Sequence, residues 1–204
     1  MKKTFVAALL VSFLFQITLQ AKRYDFEKDT LESHPKGWHC NREKKQQWAV
    51  TQEGDSHALT LLQTEAYGNY FNLCYTKEIA FQNGKLSLDL RAHSGEEDQG
   101  GGLIWRVKDE KNYYIVRYNP LEDNFTFYYV KNGHRRVIKN STVYVKHTAW
   151  HTIKVLQNQE HYSLFLDEVL LLEGDDATFS KSGGVGVWSK ADALTSFDNL
   201  EVNQ

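Results

Sequence analysis

Hydrophobic and polar residues alternate along most of the chain after its first twenty-one residues. The alternation is clear in Gly84–Arg91 and in Trp150–Gln157, and almost no segment carries apolar residues at helical spacing. A period of two is typical of a β-strand that buries one face. The pattern therefore predicts about fourteen short strands and hardly any helix.

Turn-forming residues separate these strands. Asn132-Gly133 lies between the predicted strands Asn124–Lys131 and His134–Lys139, and both residues tolerate the positive φ that a type I′ hairpin turn needs. No helical segment connects one strand to the next, which excludes a parallel α/β sheet. We predict two antiparallel sheets packed face to face as a single domain, with no internal repeat and no linker.

The amino terminus has a composition of its own. Lys2 and Lys3 precede an apolar run from Phe5 to Leu19, and the small residue Ala21 follows. This is the pattern of a secretory signal peptide. We predict a signal peptide over residues 1–21, a β-sandwich domain over 22–204, no membrane span after cleavage, and a secreted or periplasmic location.

Net charge bears on the kind of partner, and the cysteine content bears on whether the chain contains a disulfide. The formal net charge is −2, and loss of Lys2 and Lys3 lowers it to −4. No basic cluster is longer than Arg135-Arg136, so we predict no nucleic-acid partner. Cys40 and Cys74 are the only cysteines. Export permits a disulfide between them, and the alternative is two small apolar residues in separate strands.

Two blocks of sequence carry a resemblance to a known family. They read D-Q-G-G-G-L-I-W-R-V-K-D-E-K-N-Y-Y-I-V-R-Y-N-P-L-E-D-N-F from Asp98, and D-D-A-T-F-S-K-S-G-G-V-G-V-W-S-K-A-D-A-L-T-S-F-D-N-L-E-V from Asp175. The chain resembles the bacterial domain of unknown function 1080, also called the 3-keto-disaccharide hydrolase domain. The resemblance implies an all-β, two-sheet antiparallel jelly-roll sandwich of the concanavalin A-like lectin/glucanase type. One departure is Leu166-Asp167-Glu168, where the family commonly has Asp-Gly in a hairpin turn.

Polar and aromatic residues in these blocks indicate a ligand-binding face. Tyr113, Arg117 and Asn119 share one face of a strand, and the last two are hard to bury unpaired. Trp188 and Lys190 share a face of another strand. Aromatic faces stack on sugars and planar polar groups bridge their hydroxyls, so a carbohydrate or glycan is the predicted partner. The predicted ligand-binding residues are Arg106, Tyr113, Arg117, Asn119, Trp188 and Lys190.

Several residues of these two blocks also have a purely structural interpretation. Trp105 is expected in the core, and Trp188 fits a core position as well as a sugar platform. Arg106 and Arg117 could pair with Asp109, Glu122 or Asp123 to hold adjacent loops together.

Two hypotheses follow for function. The first is an exported carbohydrate-binding or carbohydrate-recognition protein, favoured because the Glu-x-Asp-x-Glu motif of the superfamily's glucanases is absent. The second is a glycoside or 3-keto-disaccharide hydrolase that uses the same face, since a keto-sugar can be cleaved by proton removal with one base and one acid. Its predicted catalytic residues are Asp98, Glu122, Asp123 and Asp192. No cofactor is required by either hypothesis; the superfamily implies an optional structural Ca²⁺, for which Asp198 is the candidate ligand.

Overall fold

The computed structural model describes residues 21–41 and 47–204. The predicted signal peptide lies almost wholly outside these ranges, so its cleavage stays a prediction. Within these ranges the chain forms strands, turns and loops. The described residues form no helix, and so none that is long and apolar enough to cross a membrane. The strands are β1 (Ala21–Tyr24), β2 (Trp38–Cys40), β3 (Gln47–Glu53), β4 (Ser56–Gln63), β5 (Phe71–Phe81), β6 (Gly84–Ser94), β7 (Gly101–Asp109), β8 (Asn112–Asn119), β9 (Asn124–Lys131), β10 (His134–Thr142), β11 (Trp150–Asn158), β12 (His161–Leu166), β13 (Val169–Asp175), β14 (Gly183–Lys190) and β15 (Leu194–Asn203).

The strands form two antiparallel sheets. One has the order β13-β12-β11-β6-β15-β4-β3, with β1 also paired to β15, and the other has the order β10-β9-β8-β7-β14-β5-β2. We call them the eight-stranded and the seven-stranded sheet. The all-β sandwich predicted from the alternation is therefore confirmed.

The main core lies between the sheets and is rich in aromatic rings. Trp105 is fully buried there, stacks on Phe127 with ring centroids 5.4 Å apart, and donates its indole N–H to Gln157 Oε1 at 3.1 Å. Trp48 and Phe197 pack together elsewhere in the same core, with ring centroids 6.1 Å apart. Trp105 is thus a core residue, as expected.

Two local features refine the predicted strands. Asn132 and Gly133 connect β9 to β10 with φ values of 53° and 80°, as a type I′ turn requires. The short edge strand β2 was not predicted; it pairs with β5 in a register that places Cys40 opposite Cys74. These two cysteines form a disulfide, which decides between the two alternatives left open by the sequence.

A second apolar cluster covers the outer face of the seven-stranded sheet. Outward-facing side chains of a two-layer sandwich are normally polar, so this cluster marks a face with another role. We call it the aromatic face; its members are Leu73, Tyr75, Ile104, Val107, Tyr113, Ile115, Tyr128, Val130 and Trp188, with Phe71 packed against them.

Candidate functional site

Strand order brings distant parts of the sequence together on the aromatic face. β7 lies between β8 and β14, and in this register Gly102 is the neighbour of Arg117 on one side and of Trp188 on the other. A Cβ atom at Gly102 would collide with the carbonyl oxygen of Val116. Arg117 and Trp188 therefore flank a position without a side chain.

A group of charged and amide side chains adjoins the aromatic face. We call it the polar cluster; its members are Asp98, Arg117, Asn119, Glu122 and Lys190. Asp98 is only 1% exposed and accepts hydrogen bonds from Arg117 Nη1 at 3.0 and 3.2 Å and from Asn119 Nδ2 at 2.8 Å, while Lys190 Nζ lies 3.0 Å away. Two cations and an amide thus compensate the buried carboxylate, as a buried charge requires.

Arg117 links Asp98 to the turn after β8. Its Nη2 donates to Glu122 Oε2 at 2.5 Å and to Asn124 Oδ1 at 3.3 Å. Burial alone would raise the pKa of Glu122, but the hydrogen bond from Asn124 and the charge of Arg117 outweigh it and hold that pKa below its usual range. Glu122 is therefore a carboxylate at neutral pH, and its side chain is 48% exposed.

Asn119 and Asp192 hold the loops around the polar cluster. Asn119 Oδ1 accepts the backbone N–H groups of Leu121 at 2.9 Å and Glu122 at 3.2 Å. Asp192 accepts the backbone N–H groups of the loop from Glu96 to Asp98, at 2.7 to 3.2 Å. Burial would raise the pKa of Asp192, but these N–H donors outweigh it and lower that pKa. Asp192 thus positions Asp98.

Asp123 belongs to the turn by its backbone. Its φ is 50°, and its carbonyl oxygen accepts the N–H of Val143 at 2.9 Å. Asp123 follows Glu122 directly in the chain. The structure thus brings five of the predicted residues into the polar cluster (Asp98, Arg117, Asn119, Glu122 and Lys190) and places Asp123 in the adjoining turn.

Tyr113 and Trp188 lie together in the aromatic face. Both are fully buried, and Trp188 Nε1 donates to the hydroxyl of Tyr113 at 3.2 Å. Burial raises the pKa of Tyr113, so its hydroxyl stays protonated. The predicted groups are neighbours, but they form the floor of the face rather than its exposed surface.

Sequence reasoning missed Arg135, which stacks over this floor. Its guanidinium lies 4.5 Å from the ring centroid of Tyr128, 5.4 Å from that of Phe71 and 5.7 Å from that of Trp188. The register places Arg135 opposite Val130, which in turn lies opposite Tyr113. The Asn132-Gly133 turn was the available signal, because it fixes which residues of β10 share a face with β9.

Arg106 and Asp198 lie outside the polar cluster. Arg106 donates to the backbone carbonyls of Gln82, Gln159 and Phe179, and its guanidinium packs 5.9 Å from the ring centroid of Tyr114. It ties three loops together, as the structural interpretation proposed, but with carbonyls in place of carboxylates.

Asp198 belongs to the outer face of the eight-stranded sheet. Ser56 Oγ donates to Glu27 at 2.5 Å and lies 3.3 Å from Asp198 Oδ2. These are oxygen atoms of the kind that Ca²⁺ takes. The described residues nevertheless include no group of three or more His, Cys, Asp or Glu side chains placed to hold a metal ion. A Ca²⁺ here would need backbone or water oxygens to complete its shell.

Several known proteins are similar to this chain, although no protein-family model matches it. The carbohydrate-binding module CBM66 of Bacillus subtilis superposes with a TM-score of 0.66 and 20% identity, over 81% of this chain and 94% of that one. A Bacteroides ovatus mixed-linkage glucan hydrolase of family GH16 superposes with a TM-score of 0.61 and 11% identity, over 90% of this chain and 99% of that one. A Bacillus subtilis protein of unknown function with a galectin-like fold has a TM-score of 0.66 and 12% identity, over 90% of this chain and 94% of that one.

One relative was found by sequence. Levanase of Bacillus subtilis strain 168 is 26% identical over 114 residues, which is 55% of this chain and 16% of the levanase. The chain thus spans less than a fifth of that relative's length. Together, the structural similarities show that the chain has the concanavalin-like or galectin-like jelly-roll sandwich fold.

Proposed function

We propose that this protein binds carbohydrate at the junction of the polar cluster and the aromatic face. One observation carries the proposal: a buried and fully paired Asp98 fixes Arg117, Asn119 and Lys190 beside a sheet face made of aromatic rings. Sugars present an apolar ring face and a rim of hydroxyls, and here the partly exposed Phe71 lies opposite Lys190 in the register of β5 and β14, so a ring and a fixed polar group lie side by side. Preorganised groups lose little entropy when they bind.

The groups that contact the ligand in this proposal are the partly exposed ones. The side chain of Glu122 is 48% exposed and that of Lys190 is 13% exposed, whereas Asp98 and Arg117 are almost inaccessible. Glu122 uses one oxygen for Arg117 and Asn124, which leaves the other oxygen for a hydroxyl. Asp98, Arg117 and Asn119 are then positioning residues.

The comparisons support this proposal at the level of class. The proteins similar to this chain include a carbohydrate-binding module, a glucan hydrolase and a levanase. Membership of the domain of unknown function 1080 and a secreted or periplasmic location remain part of the proposal, as does a structural Ca²⁺ at Asp198.

Hydrolysis is the alternative, and the state of the carboxylates favours binding. Glycoside hydrolysis needs one carboxyl group that can deliver a proton. Hydrogen bonds or ion pairs occupy Asp98 and Asp192, and the lowered pKa values of Asp192 and Glu122 keep those two groups deprotonated. Glu122 could still act as the single base that a keto-sugar elimination requires.

Binding and turnover are tested together. Titration calorimetry against a panel of plant and bacterial oligosaccharides, including levan fragments, should reveal a ligand, and Glu122→Gln and Lys190→Met should each weaken it about tenfold or more. Glu173→Gln and Lys154→Met are matched controls, because their side chains are 53% and 16% exposed and lie on the eight-stranded sheet. Product release on prolonged incubation, abolished by Glu122→Gln, would establish the hydrolase instead.

A further inference from the structure

A polar cavity of about 380 Å³ lies between the β9–β10 hairpin and the start of β5. Its lining residues are Asn69, Phe71, Gly133, His134, Arg135 and Arg136. We infer that this cavity binds the carboxylate of an acidic sugar, so that the carbohydrate of the proposed function, on which this inference rests, contains uronic acid. The volume is within the range of small-molecule sites.

Charge is the first argument. The lining contains two guanidinium groups and one imidazole but no carboxylate. In the polar cluster, by contrast, Arg117 and Lys190 are paired with Asp98 and Glu122 at 2.5 to 3.0 Å. The ion pairs found in the described part of the chain include neither Arg135 nor Arg136. The lining itself therefore carries an excess of positive charge; Asp98 acts on Arg135 electrostatically but already pairs with Arg117 and Lys190.

Arg135 carries the argument further because it is partly buried without a hydrogen-bonding partner. Its Nη1 is inaccessible to solvent and has no acceptor among residues 21–41 and 47–204. Burial lowers the pKa of Arg135 and outweighs Tyr128, which raises it; Arg117 acts with burial, and Asp98 opposes it. The guanidinium lies over the ring faces of Tyr128, Phe71 and Trp188, which attract a cation, and Arg135 also lines the cavity, where an anion would complete its pairing.

Geometry favours a carboxylate as that acceptor. The rings of Tyr128, Phe71 and Trp188 surround the guanidinium within 5.7 Å and restrict how its plane can lie. Because Nη1 is inaccessible, the edge left for a planar carboxylate is the one formed by Nε and Nη2, which can donate two parallel hydrogen bonds. A guanidinium held by aromatic rings also loses little freedom on binding. Phe71 lines the same cavity, so an apolar ring surface is available for the sugar that bears the carboxylate.

The test compares sugars that differ only in charge. Calorimetry would use trigalacturonate, trimannuronate and a glucuronate-bearing xylo-oligosaccharide, each beside its carboxyl-reduced neutral form, together with a sulfated carrageenan oligosaccharide of similar length. We expect at least one acidic form to bind ten times more tightly than its neutral form. Arg136→Gln and Arg135→Lys should remove most of that difference, whereas Arg91→Gln on the eight-stranded sheet should not change it.

The outcomes separate this inference from the proposed function. Neutral forms that bind as tightly as acidic ones would overturn the inference and leave carbohydrate binding intact, and a sulfated sugar that binds best would overturn the choice of carboxylate. Failure of every sugar in this panel and in the neutral panel would overturn both. Thermal melting checks the folding of each variant, and Arg136 is exposed, so Arg136→Gln keeps the test valid if Arg135→Lys unfolds.

Discussion

At the scale of single residues, the polar cluster depends on the balance of charge around Asp98. Asp98→Asn removes the carboxylate that compensates Arg117 and Lys190, and we expect it to lower the free energy of unfolding by about 2–4 kcal/mol, because an uncompensated buried charge is costly. Arg117→Met should be destabilising for the same reason. Urea unfolding of the wild type and the two variants measures both effects.

The double variant decides whether the effect belongs to the pair. With both charges removed, only Lys190, whose side chain is 13% exposed, still lacks its partner, so Asp98→Asn with Arg117→Met should be less destabilising than the sum of the single changes. Additivity to within about 0.5 kcal/mol would mean that the two side chains do not interact.

The turn at Asp167 and Glu168 holds two consecutive non-glycine residues at positive φ. Both residues adopt left-handed conformations, with φ values of 48° and 65°, at the position where the family that the sequence resembles commonly has Asp-Gly. Glu168→Gly should raise the free energy of unfolding by about 0.5–1 kcal/mol, because glycine adopts positive φ without a steric penalty. Thermal and urea unfolding measure the change.

Glu168→Ala is the matched control for that change. It also removes the exposed ion pair with Lys154, but it keeps a Cβ atom in the left-handed conformation. We therefore expect the glycine variant to be more stable than the alanine variant. Equal stabilities would show that the turn is unstrained.

The polar cluster also shows what single-residue reasoning can and cannot find. Arg117 and Asn119 were recognised because such side chains on a half-buried strand need partners, and Glu122, five residues away, was among those named. Asp98 was considered only as a catalytic residue, and Arg135 was missed. Their roles depend on contacts across strands, which local sequence does not contain.

At the scale of secondary-structure elements, alternation located most strands and failed where a strand is very short. β2 has three residues, too few for a period to be visible, and β5 extends six residues beyond the predicted end at Tyr75. A disulfide and strand pairing hold β2 at the edge of the seven-stranded sheet. Covalent and long-range contacts stabilise what the local pattern cannot predict.

The disulfide gives the element-scale prediction. It joins cysteines separated by 34 positions, and a cross-link of that span should stabilise the fold by about 3–4 kcal/mol, by restricting the unfolded chain. Cys40→Ala with Cys74→Ala should therefore shift urea unfolding by that amount. A change below about 1 kcal/mol, or two titratable thiols in the purified protein, would contradict it.

At the scale of the whole molecule, the site depends on strand order. Alternation assigns faces within a strand, but only the order β8-β7-β14 places Arg117 two strands from Trp188 and brings Lys190 to Asp98. Arg106 has a similar sequence context to Arg117, yet its guanidinium binds backbone carbonyls elsewhere in the fold. The composition of the site was thus predictable in part, and its assembly was not.

The pH dependence of folding tests the opposite sheet of the sandwich. Burial, with the carboxylates of Asp89 and Glu27 nearby, raises the pKa of Asp198 to about 6 from its ordinary value of 3.8, although the N–H of Asn199 opposes this. The folded state then holds the proton more tightly than the unfolded state, so this residue lowers stability as the pH rises from about 4 to 6. With a calcium chelator present, Asp198→Asn should raise the free energy of unfolding by about 1–2 kcal/mol at pH 8 and leave it unchanged at pH 4.

If Ca²⁺ binds at Asp198, the wild type rather than Asp198→Asn should be the more stable protein at pH 8. A bound Ca²⁺ stabilises the folded state by mass action and uses the same carboxylate that is unfavourable without it. Millimolar CaCl₂ should then raise the melting temperature of the wild type at pH 8 but not that of Asp198→Asn. If calcium leaves both melting temperatures unchanged while the chelated proteins show the expected pH effect, Asp198 is a strained buried acid and the calcium proposal fails, because the carboxylate would be desolvated without a cation to compensate it.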